Sequence, residues 1–190
     1  MCCGARSNVL PNADSDRRAR LGAWGVLALV IGLALAIDQA SKAWVIASIP
    51  LGETIVPVVA LHPFFMITHV RNTGAAFGLF AGVGDLFVVI AIVVTIGMLL
   101  YFPRVPVRAR LTQMAMGLVI AGALGNAIDR VIHGAVIDFI HYTVPGVISN
   151  VSNLADHAIV GGVLVLVAQS WRAGDRRSPD APSADDANPL

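Results

Sequence analysis

Between Gly125 and His157 the chain reads GNAIDRVIHGAVIDFIHYTVPGVISNVSNLADH. Three aspartates, one arginine and three asparagines stand there between two long apolar segments. Polar groups beside a bilayer are costly and are kept where they serve a purpose. Carboxylates offer the richest chemistry in this stretch. Two aspartates held close cannot both ionise, because like charges repel and loss of water worsens the repulsion. One proton then stays with the pair. The ionised member deprotonates water while the protonated member hydrogen-bonds a scissile carbonyl, which is the aspartic-protease scheme. Such a pair titrates as a unit. Spacing alone leaves the pair open among Asp38, Asp129, Asp138 and Asp156. Asp156 begins a helix, at the positive end of its dipole. Asn153, three residues earlier, reaches the same surface. Asp129 adjoins Arg130, which suggests a structural ion pair at the end of its span.

Other chemistries fit less well. Zinc hydrolysis on a helix calls for HExxH. His62, His69, His133, His141 and His157 show no such pairing and read as interfacial or hydrogen-bonded histidines, so no metal and no cofactor is expected. Ser149 and Ser152 have His141 and His157 nearby in sequence, but no nucleophile turn surrounds them. A phosphate-cradling loop is absent. GVGD at 82–85 matches the GxGD signature of presenilin-type proteases. That chemistry needs an aspartate within a span and a second one in a preceding Tyr-Asp pair. Neither Tyr101 nor Tyr142 is followed by Asp, and Asp85 reads as a helix N-cap.

The elements that must position these residues follow from composition. The 190 residues are 56% hydrophobic and 13% charged, against about 25% charged in a soluble globule. This is an integral membrane protein. The net charge of +1 gives no case for nucleic acid. Cys2 and Cys3, adjacent at an exposed end, imply no disulfide framework. Residues 1–20 form a polar, basic tail. Spans are expected at about 21–46, 86–102, 111–128 and 153–171, within one membrane domain covering 21–171. Asp38 and Lys42 lie four apart on one face of the first span, where an ion pair would sit near the bilayer edge. The 50–80 segment is too short for a span and is broken by Pro57 and Pro63. Its Val, Ile, Thr and Phe content predicts two short strands. In the following RNTGAAFGLF, Gly74, Ala75 and Ala76 allow close backbone approach, and Asn72 by itself reads as a turn residue. Further short strands are expected in VIDFI and GVISNV, within a mixed segment at 129–152. Residues 172–190, rich in Pro, Ser and Asp, are expected to be disordered.

Positive charge sets the orientation. Arg6, Arg17, Arg18, Arg20, Arg104, Arg108, Arg110, Arg172, Arg176 and Arg177 fall on one side, against Lys42, Arg71 and Arg130 on the other. Ten against three puts both termini in the cytoplasm. The fold class is therefore an all-α membrane protein with a small β part: four transmembrane helices plus a short extracytoplasmic β-sheet, both termini cytoplasmic. The polar motifs then converge on the outer surface. A transporter or non-catalytic binding protein is the competing class. It would favour inverted repeats and ionisable groups at mid-span, and the chain has no internal repeat.

At these residues the chain resembles the lipoprotein signal peptidases, the type II signal peptidases of bacteria. The matches are DQASK (38–42), RNTGAAFG (71–78), GNAIDRVIHGAVIDFI (125–140) and NLADHAI (153–159), in the family's order over about two-thirds of the chain. The resemblance implies an aspartic endopeptidase of the cell (inner or plasma) membrane. Its substrates would be prolipoproteins with a diacylglyceryl-modified cysteine, held in membrane lipid and cut just before that cysteine. It implies catalytic roles for Asp138 and Asp156, and supporting roles for Asp38, Lys42, Asn72, Gly74, Asn126, Asp129, Arg130 and Asn153. It also implies inhibition by the cyclic peptide globomycin. Ser152 and Gly78 depart from the family's common aromatic and serine at those positions. For such a substrate, an exposed strand edge in 50–80 could clamp extended backbone by strand addition.

Overall fold

The computed structural model describes residues 13–74 and 84–175. The two chain ends, Cys2 and Cys3 among them, and the GAAFG part of the 71–78 motif beyond Gly74 lie outside the described residues. The order is α1 (Ala13–Ser48), β1 (Thr54–Ile55), β2 (Phe65–Asn72), α2 (Gly84–Tyr101), α3 (Arg110–His133), β3 (Val136–Val144), β4 (Ile148–Ser152) and α4 (Leu154–Asp175). All four helices are long and apolar enough to cross a membrane.

Helices outrun the apolar runs that define their spans: α4 continues to Asp175, so residues 172–175 are helical and not disordered, and α1 and α3 run further still. The 36 residues of α1 extend about 54 Å, well beyond a hydrocarbon core of about 30 Å. Asp14 and Asp16 in its first turn suit the positive end of the helix dipole, so the helix starts before the apolar run. Helix α3 continues past Ile128 to His133, so Asp129 and Arg130 are helical and not part of a mixed segment. Arg130 and His133 in the last turn complement the dipole, and Gly134 (φ 69°) ends the helix in the left-handed conformation. Asp85 sits inside the first turn of α2 and not at its cap.

Helix α3 is the centre of the bundle and packs against the other three helices. Small residues make that possible where lipid gives no hydrophobic drive. A Cβ at Gly122 would meet the Ala155 carbonyl and Ile159 of α4, and one at Gly162 would come 2.7 Å from the Ala115 carbonyl. One apolar core (Leu27, Phe102, Met116, Ile120) joins α1, α3 and the 102–105 turn. A second joins Val45 and Ile49 at the end of α1 to Ile137 and Phe139 of the sheet.

The sheet is antiparallel, in the order β1-β2-β3-β4. Pro57 and Pro63 confine the chain between β1 and β2 to a short 3₁₀ turn at Val59–Leu61. The register of β2 on β3 shifts once: Ile67 faces Ile140, yet Val70 faces Asp138. One extra residue lies in β2 between them.

Candidate active site

That extra residue decides which side chain meets Asp138. In β3, Ile137 and Phe139 pack on the end of α1, so Val136 and Asp138 point to the other face. Without the bulge, Arg71 would share the face of Asp138. The single-residue shift puts Val70 and Asn72 there instead. Asn72 Nδ2 donates to Asp138 Oδ2 at 2.9 Å, and Asn72 Oδ1 accepts from the Gly74 amide at 3.1 Å.

The start of α4 supplies the second aspartate. Asn153 caps the helix, its Oδ1 accepting from the Asp156 amide at 2.9 Å. Its Nδ2 then faces β3 and donates to Asp138 Oδ1 at 2.6 Å. Asp38 of α1 caps the same terminus, its Oδ1 accepting from the Ala155 amide at 2.9 Å. This approach needs Gly125 on α3, where a Cβ would lie 2.6 Å from Asp38 Oδ2.

Lys42 ties α1 to α3. Its Nζ lies 2.9 Å from Asp38 Oδ2 and 2.8 Å from Asp129 Oδ2, and donates to Asn126 Oδ1 at 3.3 Å. An ammonium cannot accept, so it fixes the amide of Asn126 with oxygen toward Nζ. The Nδ2 is left facing Asp156 and donates to its Oδ1 at 2.7 Å. Asn153 Nδ2 also reaches Asn126 Oδ1 at 3.2 Å. Each of the three asparagines is thus oriented by a backbone amide or a cation, and each turns its donor toward an aspartate.

Asp138 and Asp156 line one cavity of about 560 Å³, with Asn72, Gly74, Asn126 and Arg130 at its polar end. Asp138 is 3% exposed. Burial pushes its carboxyl up from 3.8 to about 6 against the donated bond of Asn72, and the negative charge of Asp156 adds to the rise. Asn153 and Lys42 oppose it. Arg130 lies over the Phe87 ring at 4.9 Å and donates to the carbonyls of Asn126 (3.1 Å) and Gly74 (3.4 Å).

Of the residues singled out from the sequence, Asn72, Gly74, Asn126, Arg130, Asp138 and Asp156 line the cavity. Asn153 sits behind them, 0% exposed, and Asp38, Lys42 and Asp129 form the buried cluster beneath. The expected ion pair between Asp129 and Arg130 is replaced by Asp129–Lys42. Successive helical residues do not face each other, so Asp129 turns inward while Arg130 faces the cavity. Asp129 Oδ2 also accepts from the Ile137 amide at 3.1 Å and starts β3. From the 50–80 segment only Asn72 and Gly74 reach the cavity among the described residues. The sheet edge on its rim is β4, through Asn150, Val151 and Ser152. Ser149 does meet His141, at 2.8 Å. The other ring nitrogen of His141 bonds the Thr68 hydroxyl, so no carboxylate orients it, and neither Ser149 nor His141 lines the cavity.

Sequence reasoning passed over Gln39. Its Nε2 donates to Asp38 (3.1 Å), Asp129 (3.0 Å) and the Gly125 carbonyl (3.3 Å). The signal was present: Gln39 lies three residues before Lys42, on the same side of an otherwise apolar span.

A family model described as signal peptidase (SPase) II matches residues 30–172. The chain is 38% identical over 152 residues to the lipoprotein signal peptidase of Anoxybacillus flavithermus, covering 80% of this chain and 87% of that one. It is 40% identical over 165 residues to that of Methylorubrum extorquens, covering 85% and 91%. Its fold is similar to that of a bacterial membrane enzyme solved by the in meso method, with a TM-score of 0.71 and 28% identity over 82% of this chain and 93% of the other.

Proposed function

The chain belongs to the signal peptidase II family, and from that premise we propose that it removes signal peptides from prolipoproteins with Asp138 and Asp156 as its catalytic pair. The observation that carries this reading is that two aspartates from different elements line one cavity and are bridged by Asn153 and Asn126. Asp138, the deeper of the two and raised to about 6, holds the shared proton. Asn126 engages Asp156 Oδ1, which leaves Oδ2 to take a proton from water. The water oxygen attacks the scissile carbonyl carbon while Asp138 hydrogen-bonds its oxygen. The C–N bond then breaks, the leaving amine takes a proton from the pair, and a carboxyl and an amine result.

The bond cut is the one before a diacylglyceryl-modified cysteine. Acyl chains retained in the bilayer hold that bond at the membrane-water boundary, where water is available. The excess of positive charge on one side supports a sheet and cavity facing the extracytoplasmic side, with both termini in the cytoplasm. Globomycin-type peptides would block the cavity. The test uses the purified chain in lipid with a prolipoprotein in diacylglyceryl-modified and unmodified forms, followed by mass spectrometry. The modified form alone should be cut, immediately before the cysteine. Equal cleavage of both forms, or cleavage elsewhere, overturns the reading.

A further inference from the structure

Strand β3 and the first turn of α4 are cross-linked twice. The inner link is Asn153 to Asp138. The outer link is Tyr142 to His157, with the Tyr142 hydroxyl 3.2 Å from His157 Nε2 and the rings 5.9 Å apart. Both residues line the cavity rim. His157 Nδ1 lies 2.6 Å from the carbonyl of Asn153. A carbonyl only accepts, so Nδ1 carries the proton and Nε2 accepts from the Tyr142 hydroxyl. Phe65 of β2, the partner of Tyr142 across the ladder, has its ring 6.1 Å away. A continuous path therefore runs from β2 through Tyr142 and His157 to the backbone of Asn153. The side chain of Asn153 holds Asp138 and the amide of Asp156.

We infer that Tyr142 and His157 are positioning residues for the aspartate pair. The inference rests on the reading of Asp138 and Asp156 as catalytic. Asp38 and α3 hold the first turn of α4 from one side, and on the β3 side the inner link is a single point. The outer link, four residues further along β3, fixes the angle of the first turn and so the separation of the two carboxyls. Their own polar atoms bond to each other and to Asn153, so the pair presents ring surface to the cavity and acts through the helix start more than through substrate.

Cleavage kinetics of Tyr142→Phe, His157→Ala and the double variant test this on the full chain in lipid. Losing one such bond should lower kcat about fivefold in Tyr142→Phe, with KM within about twofold of the parent. The double variant should be no slower than His157→Ala alone, because both break one path. The pH–kcat profile of Tyr142→Phe should shift, since the spacing of the aspartates sets how they share a proton. Thermal unfolding checks that Tyr142→Phe stays folded. A rise in KM at unchanged kcat, additive losses in the double variant, or parental kinetics overturns the inference. The catalytic reading itself fails separately, through activity in Asp138→Asn or Asp156→Asn.

Discussion

Replacing Lys42 with methionine keeps the side chain up to Cε and deletes its ammonium. Lys42 is 2% exposed, and Asp38 and Asp129 beside it are 2% and 1% exposed. In formal charge the cluster goes from −1, two carboxylates and one ammonium, to −2 in a site closed to solvent. Removing one partner of a buried ion pair costs about 3–5 kcal/mol. Both carboxylates keep other donors: Gln39 serves both, the Ala155 amide serves Asp38, and the Ile137 amide serves Asp129. The loss should therefore lie near the low end, about 3 kcal/mol. At about 2–4 °C per kcal/mol for a chain of this size, Tm falls by about 6–12 °C. Tryptophan fluorescence during heating in detergent micelles reads this directly. Lys42→Met/Asp129→Asn restores the formal charge to −1 and should recover about half of the loss. Activity should not recover fully with it, because Asn126 loses the cation behind its amide and is held on that side by Asn153 alone. A single variant melting within about 2 °C of the parent, or a double variant less stable than the single, refutes the reasoning.

The pH dependence carries a definite sign. The folded state raises Asp138 from 3.8 to about 6, so its contribution to stability is full below pH 3.8 and is lost as pH rises through about 6. Asp138→Asn, which cannot ionise, should remove that slope, so that its stability by calorimetry falls less than the parent's between about pH 4 and pH 7.5. In the parent, kcat/KM should fall as pH rises through about 6, as the pair gives up its shared proton. Gly122→Ala puts a Cβ against the Ala155 carbonyl of α4; backbone must move, and calorimetry should show a loss of about 1–3 kcal/mol.

How far the sequence could be read depends on the range of the contact. The Asp38–Lys42 pair is local, four residues along one helix, and its geometry follows from periodicity. The four apolar helices follow from composition. The second partner of Lys42 is Asp129, in another helix, and nothing local distinguishes it from the adjacent Arg130 until α3 is known to run to His133. The bulge in β2 is equally hidden: strand propensity marks ITHVRN as extended, but only pairing with β3 shows that Asn72 and not Arg71 faces Asp138. The orientation of the three asparagine amides depends on contacts between distant elements as well. The choice of Asp138 and Asp156 from four aspartates came from the family resemblance. Spacing could not make it, because it depends on which face of β3 turns from the end of α1.

The most direct measurement is cleavage of a diacylglyceryl-modified precursor by purified Asp138→Asn and Asp156→Asn, each shown by circular dichroism and melting to be folded. If the two carboxyls activate water as a pair, each variant alone loses at least about a thousandfold in kcat, and the double variant loses little more. Retention of more than about a tenth of parental kcat by either folded variant contradicts the account.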